Sequence, residues 1–272
     1  MFKYFIVSLL FSLTILNGSI LYDKVENIIG QNEYKVHKGL IHLLFKDEEK
    51  FLQNGEIKYY DLFNELQENG LLNLHLDKPK DITIEFKILN KNLKAYKILN
   101  DTMRGLGYRY FFTKSMDISE NQELLWKIVF KAEYMLDPVV LLKDLMLNNC
   151  KIIEVTNKDS NHWYYEIDFS DSVLSSAINI EKNEKVKFSK PLRAFFLDVE
   201  NGKKLQITSR KLNNWFPHIV FFDKDLKVLK TIKKNRIYHG LNIKIPVGTK
   251  YIKITDKYNL INIKRGLTII VR

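Results

Sequence analysis

The sequence predicts a mixed α+β amino-terminal part followed by an all-β sandwich domain. The spacing of apolar residues changes twice along the chain, from helical to mixed and then to strand alternation. Turn signals also become frequent after about residue 185. Hydrophobic residues make up 46% of the chain, enough for a packed core, which excludes a wholly disordered protein. We therefore expect four segments: residues 1–19, 20–76, 77–182 and 185–272.

Residues 1–19 have the order of regions typical of a secretory signal peptide. Lys3 provides the positive start, residues 4–16 are largely apolar, and residues 17–19 are small and polar. The apolar run is shorter than the ~20 residues that a membrane-spanning helix requires. We expect cleavage after Gly18 or Ser19, with an uncleaved amino-terminal anchor as the alternative. No later segment is long and apolar enough to predict a transmembrane helix in the mature chain.

The cysteine content and the overall composition agree with export. Cys150 is the only cysteine, as expected where an oxidising compartment penalises unpaired thiols. Its apolar surroundings in the sequence predict a small buried hydrophobic residue rather than a nucleophile. Abundant Lys, Asn and Ile with little Ala are typical of AT-rich bacterial genomes. Together with the signal peptide, these features predict a periplasmic location in a Gram-negative cell.

Residues 20–76 are predicted to form a small helical cap. Tyr59, Leu62, Phe63 and Leu66 recur at helical spacing, and Asn69-Gly70 follows as a stop signal. Because the segment is too short to have a sure core of its own, we expect it to pack on the segment that follows.

Residues 77–182 are predicted to form a ferredoxin-like split βαβ domain with one extra strand. Apolar residues alternate with polar ones from Ile82 to Ile88, which indicates a half-buried strand. A helix, a second strand over residues 108–113 and a third strand follow. Asp137-Pro138 has the N-cap and first-turn residues of a second helix, and two strands close the segment. The predicted order is β-α-β-β-α-β-β, which fits two β-α-β halves.

Residues 185–272 are predicted to be nearly all strand. Apolar alternation recurs around Ile207, Ile245 and Ile254, with Lys or Gln at many intervening positions. Short alternating strands separated by frequent turns are typical of a β-sandwich. Asn201-Gly202 is the strongest hairpin signal in the chain.

Part of this last segment, residues 192–256, resembles the carboxy-terminal part of the maltose-operon periplasmic protein family. The resemblance lies in the runs Arg193-Ala194-Phe195-Phe196-Leu197, Leu205-Gln206-Ile207-Thr208-Ser209, Phe216-Pro217-His218-Ile219-Val220-Phe221-Phe222-Asp223 and Tyr251-Ile252-Lys253-Ile254-Thr255. It covers about a quarter of the chain and rests on a loose motif. It implies a non-catalytic exported sandwich domain and carries over no catalytic residue.

Charge is divided very unequally along the chain. The net charge is +11, yet residues 185–272 hold 21 Lys and Arg against five Asp and Glu, which makes them +16 and residues 1–184 −5. Outward lysines could serve only solubility and the protection of edge strands. The alternative is a surface for an anionic envelope component, an acidic partner protein, or the acidic half of the same molecule. Nucleic acid is not expected, because the chain is exported and has no nucleic-acid-binding motif.

The densest basic run supplies the candidate partner-binding residues. These are Lys227, Lys230, Lys233, Lys234 and Arg236, with Trp215 as an aromatic candidate. Residues three apart on a regular strand lie on opposite faces, so Lys227 and Lys230 cannot both point outward. Residues 233–236 are therefore predicted to form a loop tip. Trp215 lies at a predicted loop–strand junction, where an exposed ring could contact a sugar, although core packing is the commoner role of Trp.

No pattern in the sequence predicts catalytic, cofactor-binding or metal-binding residues. Nucleophile-elbow, zinc-protease, P-loop and dinucleotide-binding motifs are absent, and no two His residues have metal-ligand spacing. We therefore expect an exported, non-catalytic envelope protein with a binding or scaffold role. Its partner would be a periplasmic or outer-membrane protein, or an anionic envelope glycan or lipid. The alternative is a periplasmic enzyme acting on envelope glycans, since paired acids need not be close in sequence.

The export hypothesis is tested by the amino terminus of the native protein. Removal of the signal peptide should leave Ser19 or Ile20 as the first residue. Mass spectrometry of the protein purified from its own cells checks this, and an intact Met1 on cytoplasmic protein would contradict it.

Overall fold

The computed structural model describes residues 20–121, 123–199 and 202–272. Within these residues it has a mixed α+β fold with six α-helices and sixteen strands in four sheets. The predicted signal peptide and Asn201 lie outside the described residues.

The elements are numbered in chain order. The helices are α1 Ile20–Ile29, α2 Gln31–Val36, α3 Lys38–Leu44, α4 Tyr59–Glu68, α5 Asn92–Gly105 and α6 Pro138–Leu147. The first strands are β1 Leu52–Gln53, β2 Glu56–Ile57, β3 His75–Leu89, β4 Phe112–Ile118, β5 Leu124–Tyr134, β6 Lys151–Asp159 and β7 His162–Asp168. The later strands are β8 Ile178–Asn179, β9 Lys185–Lys187, β10 Phe195–Asp198, β11 Lys204–Ser209, β12 Pro217–Phe222, β13 Val228–Lys233, β14 Gly240–Lys244, β15 Tyr251–Asp256 and β16 Leu267–Val271.

A five-stranded sheet in the order β4-β5-β3-β7-β6 organises the first half of the chain. Its central strand β3 pairs antiparallel with β5 and parallel with β7. The predicted alternation is confirmed, because Ile82, Ile84, Phe86 and Ile88 are all fully buried. The element order β-α-β-β-α-β-β also agrees with the prediction.

The amino-terminal helices share the core of this sheet, as expected for the cap. Buried side chains of α1 and α4 belong to the same hydrophobic cluster as those of α5, α6 and the sheet, which we call the first core. Polar contacts reinforce this packing, since Lys24 forms an ion pair with Glu154 and the Tyr59 hydroxyl donates to the same carboxylate at 3.0 Å. The expected boundary between residues 76 and 77 falls inside β3.

The strand predicted over residues 108–113 is present but displaced toward the carboxy terminus, because β4 begins only at Phe112 and runs to Ile118. Gly107 turns the chain with a φ of 96°. The rings of Tyr108 and Phe111 then pack on the rings of Phe130 and Trp126, at centroid distances of 4.6 and 5.9 Å. Tyr108 and Phe111 are thus held by ring packing rather than by strand pairing.

Two sheets make up the last part of the chain. One has the order β13-β12-β15-β10-β8 and the other β14-β11-β16-β9. Alternate side chains from both sheets, among them Ile219, Ile254, Ile207 and Ile269, lie in one buried cluster, which we call the second core. The polar residues between them point away from that core, as the sequence pattern predicts.

The predicted Asn201-Gly202 hairpin is not formed, because β10 and β11, which flank it, belong to different sheets. Gly202 has a different role. A Cβ atom at this position would lie 2.4 Å from Cγ1 of Val271 and 3.0 Å from Cδ1 of Ile245. The glycine therefore permits a close approach to the second core, where any side chain would collide.

The change from one core to the other occurs earlier than residue 185. Leu174 belongs to the first core and Ile180 to the second. Strand β8 pairs with β10, and the Asn183 N–H donates to the Val271 carbonyl at 2.7 Å. We call residues 20–174 the first unit and residues 178–272 the second unit.

The second unit is expected to be more stable as a fragment of residues 175–272 than as one of residues 185–272. The shorter fragment lacks β8 and the buried side chain of Ile180, whose burial contributes about 2 kcal/mol. Both fragments lack the whole first unit, so the difference between their stabilities is due to residues 175–184 alone. Urea unfolding should show the lower midpoint for residues 185–272, and equal midpoints would contradict the boundary.

Candidate functional site

The predicted loop tip lies between β13 and β14. Strand β13 ends at Lys233 and the next strand begins at Gly240, so the loop covers residues 234–239 and the predicted tip at residues 233–236 starts one residue too early. Backbone hydrogen bonds fix the loop at both ends, from Lys234 N–H to the Pro217 carbonyl and from Tyr238 N–H to the Trp215 carbonyl, each 2.9 Å. The loop is therefore held in one conformation by its neighbours.

Several cations meet on and beside this loop. Lys233 lies directly opposite His218 of β12, and burial together with the charges of Lys233 and Lys253 lowers the pKa of His218. Lys257 hydrogen-bonds the side chain of Asn235. We call Lys233, Lys234, Arg236, His218, Lys253 and Lys257 the basic tip.

Aromatic rings support two of these cations. The Arg236 Nε donates to the Tyr238 hydroxyl at 3.0 Å, and its guanidinium lies 5.1 Å from the Tyr238 ring centroid. The Lys257 Nζ lies 4.8 Å from the ring centroid of Tyr258, which is exposed. Such contacts orient a charge without neutralising it.

The structure does not bring Lys227 and Lys230 into the basic tip. Lys227 lies in the turn before β13, where its N–H donates to Asp223 at 2.9 Å. Lys230 is opposite Phe221 in the sheet, whereas Lys233 is opposite His218. Because directly opposed residues point to the same face, Lys230 lies on the core side of the sheet edge and Lys233 on the outer side. Both Lys227 and Lys230 remain exposed.

The expectation that Trp215 is exposed is wrong. Its side chain is 0% exposed in the second core, and its indole N–H donates to the Thr255 carbonyl at 3.0 Å. A large ring with one satisfied polar atom gains more from burial than from exposure. Trp215 instead supports the basic tip from below, since its carbonyl accepts the hydrogen bond from Tyr238.

The described carboxylates of the second unit from residue 185 onward are held by structural contacts. Asp198 pairs with Lys250 at 2.9 Å, and Asp225 pairs with Lys91 of the first unit at 3.0 Å. Asp223 accepts two backbone N–H groups of its own turn. Asp256 is buried and accepts hydrogen bonds from the N–H groups of Phe216, Tyr258 and Asn259 and from the Asn262 side chain.

The positive charge of the basic tip is therefore not neutralised within the described part of the chain. None of its six residues forms a salt bridge to a described carboxylate. Lys233 and Arg236 are exposed and the other four residues are half-buried, so the charge at the surface is available to a partner.

A cleft of about 730 Å³ lies between the two units and adjoins the basic tip through Lys253. One wall is a stripe of α5 that includes Leu93, Lys97 and Arg104. The opposite wall is the loop over residues 189–194, with Phe196 beneath it. Helical spacing shows that the α5 residues share a face, but no local pattern shows which segment lies opposite them.

A second cavity, of about 590 Å³, is lined by several carboxylates and is therefore the candidate active site for an enzyme that uses a pair of acids. Its carboxylates are Glu56, Asp61, Asp168 and Asp171. Glu56 pairs with Lys151 at 2.9 Å and Asp61 with Lys58 at 3.8 Å. Burial alone would raise the pKa of Asp168, but hydrogen bonds from Ser170 and Asn90 outweigh it and lower that pKa. A general acid needs the opposite shift.

The aromatic run of β7 does not form a sugar-binding surface. Trp163 and Tyr165 are buried in the first core, and only Tyr164 points to the other face. Among the described residues, no three His, Cys, Asp or Glu side chains come together as a metal site would require.

Cys150 is buried, as predicted, and its thiol is a poor nucleophile. Burial raises the pKa of Cys150 to about 12, with Asp144 and Asp168 adding to the effect and Lys94 opposing it. The thiolate, which is the nucleophilic form, is then nearly absent at neutral pH.

Native Cys150 is expected to react with a disulfide reagent such as DTNB about a thousand-fold more slowly at pH 8 than the urea-unfolded chain, because the thiolate fraction falls by that factor. The absorbance of the released thiol measures both rates. Equal rates would show that the thiol is accessible in the native state.

Comparison with known proteins finds no family model, no curated protein and no solved structure that matches this chain. No helix within the described residues has the length and apolar character to cross a membrane.

Proposed function

We propose that this chain is an exported, non-catalytic protein of the periplasm with a binding or scaffold role in the cell envelope. Its basic tip would contact an anionic envelope component or an acidic surface of a partner protein. One observation carries the proposal: aromatic rings orient Arg236 and Lys257 of the tip, while the described carboxylates from residue 185 onward are held elsewhere by structural contacts.

The small free energy of a single exposed ion pair favours a partner that carries several negative charges. A single exposed ion pair contributes about 0.2–1 kcal/mol, too little for recognition by itself. The five Lys and Arg side chains of the basic tip can add such contributions, whereas the lowered pKa of His218 leaves that side chain uncharged at neutral pH. Because backbone hydrogen bonds already anchor the loop at Lys234 and Tyr238, little further backbone entropy is lost there when a partner binds.

We also propose a more detailed assignment of the fold of each half. We assign the first sheet to a split βαβ arrangement in which β7 is inserted between β3 and β6. The order β4-β5-β3 and the position of β6 beyond β7 support this assignment. We assign the last two sheets to a β-sandwich, supported by their common core. The resemblance to the maltose-operon family agrees with that assignment.

The alternative, an enzyme acting on envelope glycans, has less support. Among the described residues, the carboxylate-lined cavity is the one feature that favours it, and its Asp168 has a lowered rather than a raised pKa. A glycosidase needs one acid that stays protonated near neutral pH.

Reversing the tip charges should abolish binding without unfolding the protein. The variant Lys233→Glu, Lys234→Glu, Arg236→Glu is expected to weaken capture of envelope material by about tenfold or more, since three favourable contacts become repulsive. Capture by the wild type should also fall between about 50 mM and about 300 mM salt, because screening shortens the reach of exposed charges. Pull-down with the tagged mature protein from its own envelope extract measures both effects.

A matched variant separates a local site from total charge. Lys203→Glu, Lys204→Glu, Lys244→Glu makes the same change in net charge, but these residues line a different depression, on the other sheet. Capture should survive in this control. Equal losses in both variants would show an effect of net charge alone, and full capture by a folded tip variant would contradict the proposed site.

A further inference from the structure

The cleft between the two units has the chemistry of a binding site, and we propose that it binds an anionic amphiphile, a molecule with one acidic headgroup and an acyl chain. The basic tip plays no part in this inference except for Lys253, because Lys233, Lys234 and Arg236 do not line the cleft. The inference therefore stands independently of the proposed function.

The floor of the cleft is apolar and aromatic. Phe196 and Phe222 stack with ring centroids 5.8 Å apart, and both are only partly buried. Leu226 continues this floor toward the first unit. Leu192, on the loop over the cleft, is 92% exposed, an unusual degree of exposure for a Leu side chain that lines a cavity. An acyl chain laid along this floor would remove these surfaces from water.

The rim of the cleft is basic. Arg104 extends from α5, Lys190 and Arg193 from the facing loop, and Lys253 from β15. Asp101 is the one carboxylate among the described lining residues, and it is occupied by Lys97 at 2.7 Å and by the Ser176 hydroxyl at 3.3 Å. The Nζ of Lys97 also lies 4.8 Å from the Phe196 ring centroid, where the basic rim meets the aromatic floor. The other four cations are left for an acidic headgroup.

The balance of donors and acceptors favours a lipid over an acidic peptide. The Lys and Arg side chains of the cleft only donate hydrogen bonds and its single carboxylate is already paired, which leaves the Ser176 and Ser189 hydroxyls as the remaining charged or hydroxyl side-chain acceptors. A bound peptide would bring N–H groups that need acceptors, whereas an acyl chain has none to satisfy. The volume of about 730 Å³ is also in the usual range for small-molecule sites, ~300–1,000 Å³.

The test uses dodecyl phosphate below its micelle concentration, with binding to the whole mature protein measured by calorimetry. We expect saturable 1:1 binding of dodecyl phosphate, at least tenfold weaker binding of the uncharged dodecyl maltoside, and no saturable binding of inorganic phosphate. Lys190→Gln with Arg193→Gln should weaken dodecyl phosphate binding by about five- to tenfold, as expected for two exposed contacts. Leu192→Asn should weaken the binding of both dodecyl compounds.

The control is Lys264→Gln with Arg265→Gln, which removes the same two residue types from an exposed site that does not line the cleft. This variant should bind dodecyl phosphate like the wild type. Equal weakening in the control, or equal binding of phosphate and dodecyl phosphate, would overturn the proposal. So would a Glu-rich peptide that binds more tightly than dodecyl phosphate and displaces it. Loss of envelope capture by the tip variant leaves these results unaffected.

Discussion

The insertion of Leu226 and Tyr251 into the first core is the contact that joins the two halves of this protein. Both side chains come from the second unit, yet they are buried among residues of the first. The Leu174 backbone N–H donates to the Tyr251 hydroxyl oxygen and partly opposes the burial that raises the pKa of Tyr251. Leu226 has a φ of 64°, a left-handed conformation that costs an L-residue about 1–2 kcal/mol. Burial of a Leu side chain contributes about 1.5–3 kcal/mol, which offsets that cost.

Polar contacts beside this insertion fix its geometry. Lys91 pairs with Asp225 across the junction, and the buried Lys94 amine donates to the Ser172 carbonyl at 2.7 Å. Burial lowers the pKa of Lys94. The outer face of the sheet containing β12 and β15 is thereby divided in two. The part with Phe196 and Phe222 packs on the first core and forms the floor of the cleft, whereas the part with His218 and Lys233 stays open as the basic tip.

The electrostatic character of the second unit follows from the way strands bury their side chains. Alternation sends one residue in two outward, and in this unit many of those residues are lysines. The described acids from residue 185 onward are held in structural hydrogen bonds or ion pairs, above all Asp256, which accepts the N–H groups of Phe216 before β12 and of Tyr258 and Asn259 after β15. Because these contacts occupy the acids, the unit keeps a positive potential whose position the sequence count alone does not give.

The sequence by itself determined the order of helices and strands in residues 75–168, the presence of a loop around residues 234–236 and the burial of Cys150. Each depends on local periodicity or on turn residues, which act over a few neighbours. Tertiary structure alone decided four features. These are the burial of Trp215, the requirement for a glycine at position 202, the placement of Lys230 and Lys233 on opposite faces of the sheet, and the existence of the cleft. Each of these features depends on a contact between segments that are far apart in the chain. Thr255 lies beneath Trp215, and Val271 lies against Gly202. Phe221 and His218 lie opposite the two lysines, and α5 lies across from the loop over residues 189–194. No local pattern encodes such meetings, because packing between segments far apart in the chain determines them.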